Sequence, residues 1–332
     1  MGLVIGAAIM CWAICYPVMA VLRRFGFWDQ PNERSSHEMK TLRGGGGAPL
    51  LVMIWSVGLW AIPQNPILGS AWLGSLVVLG VVSLVDDKRH VPVGWRLVVQ
   101  SVVAVLVVQI LCPEHYSYYE VALISIVLVA FMNFVNFMDG INGLVAGMVA
   151  LLAVGVALLY SGNEVGIPIM AWVIAGAALG FLPYNFPKAK MFLGDVGSIT
   201  MGFSVGVLLI WACIDLGRGN AKELFILAVL PFYFFAEGTV AVIRRFQAGK
   251  PITRPHREHF YQRLIRAGWS HAKVSGVIWA VQIFMMGVML SVADYAKPAG
   301  IGLFCVLVWG GLFGYAEHVY RNAAPPKDID ES

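Results

Sequence analysis

The stretch LGSLVVLGVVSLVDD, residues 73–87, decides the fold: an uncharged apolar run passes straight into Asp86-Asp87. Its apolar residues are continuous, which excludes a transmembrane β-barrel strand, where apolar and polar residues alternate. A helix needs about 20 apolar residues to cross a bilayer. Similar runs lie on both sides. The spans expected are 3–22, 48–64, 67–85, 97–112, 119–137, 143–160, 165–183, 198–214, 223–243, 274–292 and 299–316. Of the 332 residues, 59% are apolar and 13% charged, and the mean hydropathy is +0.75. Soluble domains run nearer half apolar and a quarter charged. A soluble enzyme, a disordered chain and a nucleic-acid-binding domain are therefore excluded. The expected fold is all-α: a polytopic integral membrane protein of about eleven transmembrane helices.

Charge placement sets the expected orientation. The connections 23–47, 86–96, 184–197 and 244–273 and the C-terminal tail hold 20 of the 23 Lys and Arg residues. Arg218, Lys222 and Lys297 are the other three. By the positive-inside rule, the rich side is cytoplasmic, the N-terminus outside and the C-terminus inside. Cys11, Cys15, Cys112, Cys213 and Cys305 form no CxxC pair, which speaks against a disulfide framework. The first apolar run has no basic residue before it, so it reads as a retained span and not a signal peptide.

Four places on the basic side collect polar residues that hydropathy alone would not put there. Asp86 and Asp87 are adjacent carboxylates, which repel unless a cation or proton is shared; a solvated helix end is the plain alternative. Asn133, Asn136 and Asp139 repeat every three residues, which puts three polar groups on one helix face, and Asp139-Gly140-Ile141-Asn142 then breaks the helix. The choice there lies between satisfying neighbouring helices and lining a ligand site, and the second is preferred. Between the seventh and eighth spans, Asn185, Lys188, Lys190, Phe192, Gly194, Asp195 and Gly197 combine cations, a carboxylate and turn-forming glycines ahead of a helix N-terminus, which favours anions. The loop 244–273 carries Arg254, His256, Arg257 and His259 without an HExxH pattern, so phosphate contacts are favoured over zinc. A fifth segment holds Arg34, His37, Thr41 and Arg43 before the run Gly44–Gly47. It lacks the GK[ST] of a P-loop, yet its backbone N–H groups could cradle phosphate. Carboxylates suited to Mg²⁺, beside cations suited to phosphate, point to phosphoryl transfer with one substrate dissolved in the membrane.

The motifs DQPNERSSH…T.RGGG, SLVDD, NFVNFMDGINGL and PKAKMFLGDVGS, in this order from Asp29 to about Leu264, resemble the polyprenyl-phosphate N-acetylhexosamine-1-phosphate transferases (glycosyltransferase family 4). RPHREHFYQRL resembles the O-antigen-initiating branch more closely than the related peptidoglycan phospho-MurNAc-pentapeptide translocase. The resemblance implies one transmembrane transferase domain over 1–320, with active-site loops 23–47, 86–96, 138–142, 184–197 and 244–273, followed by a cytoplasmic tail at 321–332. It implies transfer of sugar-1-phosphate from a UDP-N-acetylhexosamine to undecaprenyl phosphate, releasing UMP, at the cytoplasmic face of a bacterial inner membrane. Mg²⁺ is the implied cofactor, with Mn²⁺ as a substitute, and a homodimer is a possible assembly. Asp86, Asp87 and Asp195 would be catalytic, with Asp195, Asp86 and Asp139 as metal ligands. Arg34, His37, Thr41, Arg43, Asn133, Asn136, Asp139, Gly140, Asn142, Asn185, Lys190, Phe192, Arg254, Arg257 and His259 would bind substrate, Phe192 by stacking on uracil. The chain departs from the family at Tyr261 and Gln262, which stand where many relatives have histidines, and at Leu42, which replaces a frequent proline.

Other classes fit less well. A transporter or flippase would place binding groups near the bilayer midplane, whereas these lie at span ends. A CDP-alcohol phosphotransferase needs DG-x₂-AR, absent after Asp139-Gly140. A membrane scaffold would have no use for the carboxylates.

Overall fold

The computed structural model describes residues 2–30, 39–160, 166–217, 221–249, 259–292 and 298–323. The helices are α1 (Gly2–Arg24), α2 (Gly47–Ser56), α3 (Ile62–Gln64), α4 (Pro66–Lys88), α5 (Val93–Leu111), α6 (Tyr118–Phe137), α7 (Leu144–Leu159), α8 (Ile167–Asn185), α9 (Gly194–Leu216), α10 (Ala221–Val229), α11 (Phe232–Gln247), α12 (Phe260–Arg266), α13 (His271–Val292) and α14 (Pro298–Asn322). A π turn at Val57–Ala61 joins α2 to α3. Two short strands, β1 (Trp28–Asp29) and β2 (Thr41–Leu42), pair antiparallel and are the β-structure among the described residues.

Among the described residues, nine helical segments are long and apolar enough to cross a membrane, or ten if the bent pair formed by α10 and α11 is one span. The expected count of eleven differs at two places. The sequence between 143 and 160 yields α7, 16 residues long; at 1.5 Å per residue it falls short of a hydrocarbon core of roughly 30 Å. The expected span 223–243 is broken, with a bend of 47° between Glu223–Val229 and Phe232–Gln247. Pro231 stands at the bend and has no N–H to continue the helix. The Leu230 carbonyl that would otherwise be orphaned accepts from Gln282 Nε2 of α13 at 3.2 Å. Polar groups at a break in an apolar environment need such partners.

Local chemistry explains other ends. Asn65 caps α4 by accepting from Leu68 N at 3.0 Å, and Pro66 takes the first helical position, where a missing N–H is harmless. α1 docks closely on α8 because Gly176 and Gly180 lie four residues apart: a Cβ at either would stand 2.5 Å from Val4 O or 2.3 Å from Ala8 O. Small residues at this spacing let membrane helices approach closely.

α9 is the central element. It packs against α2, α4, α5, α6, α7, α8 and α10, and 67% of its apolar window is buried, against 17% for α1 and 28% for α5. Outward faces of α1, α4, α5 and α6 expose Ile9, Trp12, Val81, Val102 and Ile126, apolar surface of the kind that lipid covers. The N-terminus of α9 is therefore where connections from several helices meet.

Candidate active site

The first turn of α9 needs a cap that its own sequence does not supply. Leu193 precedes it without a side-chain hydrogen bond, and Gly194 turns the chain in with φ +72°, a conformation that glycine adopts without strain. The cap comes from α4: Asp87 Oδ1 accepts from Asp195 N at 2.9 Å and Asp87 Oδ2 from Val196 N at 3.2 Å. A carboxylate here also meets the positive end of the helix dipole. Arg43 completes the group, donating Nε–H to Asp87 Oδ1 at 2.7 Å and Nη2–H to Asp195 Oδ1 at 2.9 Å.

Arg43 is aimed by backbone pairing. β2 pairs with β1, Leu42 bridges to Met191, and Phe192 N donates to Leu42 O at 2.7 Å. Gly45 N and Gly46 N donate to the carbonyls of Phe192 and Leu193 at 2.9 and 2.8 Å, and Gly47 N to Gly44 O at 3.1 Å. The expectation that this glycine run cradles phosphate through its amides is corrected: three of the four amides are engaged within the protein. The run is glycine for packing, since a Cβ on Gly46 would lie 2.1 Å from Gly197 Cα. Thr41 is buried and donates its hydroxyl to Met39 O at 2.9 Å.

Asp86 faces the other way round the α4 terminus. It accepts from Val91 N at 2.7 Å and from Arg96 Nη1. The same Arg96 nitrogen donates to Asp195 Oδ2 at 3.0 Å. Sequence reasoning counted Arg96 only toward topology; the available signal was a lone cation one turn into an apolar helix. Arg96 and Asp195 line a small pocket between α4, α5 and α9, together with Leu79, Val82, Ser83, Val99, Gln100 and Ile199.

The polar stripe of α6 divides. Asn133 Nδ2 donates to Gln100 Oε1 at 2.7 Å and to Val129 O at 2.8 Å, which ties α6 to α5. Asn136 Oδ1 accepts from Ser198 Oγ at 2.8 Å, which ties α6 to α9. Asp139, beyond the end of α6, joins the acidic group. Burial holds its carboxyl well above the ordinary carboxylate range; Arg43 opposes this, Asp195 and Asp87 add to it, and the Gly194 amide opposes it. For Arg43 burial disfavours the charge, but Asp87, Asp195 and Asp29 outweigh it and raise its pKa.

The remaining candidates form the rim. Asn185 Oδ1 accepts from Gly143 N at 2.6 Å and its Nδ2 donates to Met191 O at 3.1 Å, so it clamps two loops. Asn142 Nδ2 donates to Pro187 O at 3.1 Å. Lys190 is exposed, with Nζ 5.4 Å from the Tyr184 ring centroid, and Phe192 is half-buried. His259 opens α12, its ring 5.7 Å from Tyr261 and 6.3 Å from Phe137. Tyr261 donates to Phe137 O at 3.0 Å, and its hydroxyl would lie 2.2 Å from a Cβ on Gly140. Gly140 thus leaves room for the Tyr261 hydroxyl. Arg34, His37, Arg254 and Arg257 lie outside the described residues.

Four aspartates and two arginines from α4, α5, α9 and two connections therefore meet at one end of the bundle. Among the described residues, no group of three or more His, Cys, Asp or Glu side chains is arranged to hold a metal ion. The donors at hand are carboxylate oxygens, the chemistry Mg²⁺ selects, and Mg²⁺ commonly takes one or two carboxylates and leaves its remaining positions to water and substrate phosphate. The residues fit a substrate-completed site, not an all-protein cage.

Residues 70–213 match the model of glycosyl transferase family 4. The chain is 28% identical over 314 residues to a probable undecaprenyl-phosphate N-acetylglucosaminyl 1-phosphate transferase of Bacillus subtilis, covering 89% of this chain and 82% of the relative. It is 28% identical over 315 residues to a decaprenyl-phosphate N-acetylglucosaminephosphotransferase of Mycobacterium tuberculosis, covering 82% and 77%. A phospho-N-acetylmuramoyl-pentapeptide-transferase of Synechococcus is 31% identical over 151 residues, covering 44% of this chain and 42% of the relative. The matched family region contains Asp86, Asp87, Arg96, Asp139 and Asp195 and leaves out Arg43 and the loop 244–273.

Proposed function

We propose that the chain, whose residues 70–213 match the model of glycosyl transferase family 4, transfers N-acetylhexosamine-1-phosphate from a UDP-sugar to undecaprenyl phosphate, releasing UMP. The observation that carries this reading is the meeting of Asp86, Asp87, Asp139 and Asp195 with Arg43 and Arg96 at the N-terminus of α9. N-acetylglucosamine is the proposed sugar, because two relatives that match most of the chain are named for it. The proposed setting is a bacterial inner membrane with the cluster facing the cytoplasm, and the proposed role is initiation of O-antigen or a similar surface polysaccharide.

In the reaction a lipid phosphate oxygen attacks the β-phosphorus of the nucleotide sugar, and the bond to the UMP oxygen breaks. The second pKa of a phosphate monoester is about 6, so the attacking oxygen is mostly deprotonated at neutral pH. Positioning and charge neutralisation are then the main catalytic contributions. Asp87 has both oxygens engaged by Arg43 and the α9 amides, which argues against a covalent phospho-aspartate and in favour of direct displacement. One or two carboxylates drawn from Asp195, Asp86 and Asp139 would hold Mg²⁺, which when bound would supply positive charge against the diphosphate. Arg43 orients Asp195. Lys190, Arg254, Arg257 and His259 are proposed to contact the diphosphate, and Phe192 the uracil.

The test is incubation of purified protein with undecaprenyl phosphate, Mg²⁺ and a panel of UDP-sugars. UMP release with one donor, suppressed by EDTA and restored by Mg²⁺ or Mn²⁺, is expected. No UMP with any donor, together with movement of labelled polyprenyl phosphate across vesicles, would replace this reading with the transporter.

A further inference from the structure

Arg96 holds a place that a bound divalent ion would need. One nitrogen, Nη1, donates to both Asp86 and Asp195, so the guanidinium and an ion shared by these carboxylates compete for the same oxygens. Arg96 Nε is buried and has no hydrogen-bond partner. An orphaned donor on a fork-shaped cation points to an anion that is not part of the chain, since Nε and Nη together match a phosphate. The side chain also lines a small pocket between α4, α5 and α9, beside Leu79, Val82, Val99 and Ile199.

We infer that Arg96 is an exchangeable counter-cation: the phosphate of a membrane-borne acceptor takes its guanidinium, and this frees Asp86 and Asp195 for the divalent ion. The inference rests on the proposed reaction and assigns Arg96 as a positioning residue within it. Without the acceptor, Arg96 balances the carboxylates and keeps the ion out. With the acceptor, the guanidinium gains a dianion and the carboxylates lose their partner. Acceptor and ion then bind with positive coupling, each tightening the other by the same factor.

The test reads Mn²⁺ binding by electron paramagnetic resonance of the free ion, on full-length protein in phosphatidylcholine nanodiscs without nucleotide sugar. Undecaprenyl phosphate is expected to tighten Mn²⁺ by about tenfold, within the usual range of such coupling. Undecaprenol and inorganic phosphate are expected to leave it unchanged. Arg96→Gln is expected to bind Mn²⁺ more tightly than the native protein before any acceptor is added, with little further gain from undecaprenyl phosphate. A purely structural arginine would give the opposite sign. Arg96→Lys keeps the charge without the fork, and is expected to lose part of the coupling while retaining the fold. The inference is overturned if undecaprenyl phosphate leaves native Mn²⁺ affinity unchanged, if Arg96→Gln binds Mn²⁺ no better than the native protein, or if Arg96→Lys couples fully. A full effect from inorganic phosphate would remove the lipid acceptor from the inference. No UDP-sugar enters this assay, so its failure leaves the transfer reaction standing, and failure to release UMP leaves the coupling standing.

Discussion

Two charged clusters stand in this molecule with opposite balances. At the N-terminus of α9, four aspartates surround Arg43 and Arg96; the Asp87 side chain is 0% exposed and that of Asp195 11%. Where α11, α12 and α14 meet, one carboxylate, Glu317, accepts from Arg263 Nη1, from Arg244 at 3.5 Å and from Arg321 at 2.7 Å. Arg244 and Arg263 also lie over the Phe260 ring. Asp87 stitches three chain segments together through a side chain and two backbone amides. Glu317 fastens α14 to its neighbours with side chains 16% to 76% exposed. An acidic surplus held inside protein asks for a cation; a basic surplus at the periphery can be met by water and salt. Burial and backbone engagement, more than the number of ion pairs, separate a candidate reaction centre from a surface latch.

The comparison can be broken by substitution. Asp87→Ala should have the largest effect on stability, because it leaves Arg43 Nε and two helix-terminal amides without a partner; removing one member of a buried pair costs about 3–5 kcal/mol. Thermal unfolding in detergent would show it, and a native-like Tm would contradict the capping role. Gly46→Ala comes next, since its Cβ would meet the Gly197 backbone at 2.1 Å; overpacking costs roughly 1–3 kcal/mol. An unchanged Tm would mean that the two segments separate easily. Glu317→Gln should be mildest, about 0.5–1 kcal/mol after solvent screening, and its effect should shrink at high salt, where the Debye length falls to about 3 Å. A loss as large as that of Asp87→Ala would erase the distinction between the clusters.

The apolar runs made the helical membrane fold legible, and the motifs marked Asp86, Asp87, Asp139 and Asp195 before any geometry was known. Helix breaks were less legible. Pro231 is visible in the sequence, but not that Gln282 Nε2 of a distant helix donates to the Leu230 carbonyl at the bend. Partner choice was hidden as well. The Asn133–Asn136 spacing suggested a ligand-lining face, yet the two side chains bond neighbouring helices, Asn133 to Gln100 of α5 and Asn136 to Ser198 of α9, which nothing local could say. Arg96 and the Gly46–Gly197 contact depend on pairings across 99 and 151 residues of chain, which no local pattern encodes.

The central claim, that the acidic cluster performs phosphoryl transfer, is tested most directly by the UMP-release rate of Asp195→Asn beside the native protein, at saturating Mg²⁺ and matched thermal stability. The account predicts a fall of about 10²–10³-fold or more, the scale on which removal of one preorganised electrostatic group slows catalysis. Turnover near the native rate would contradict it.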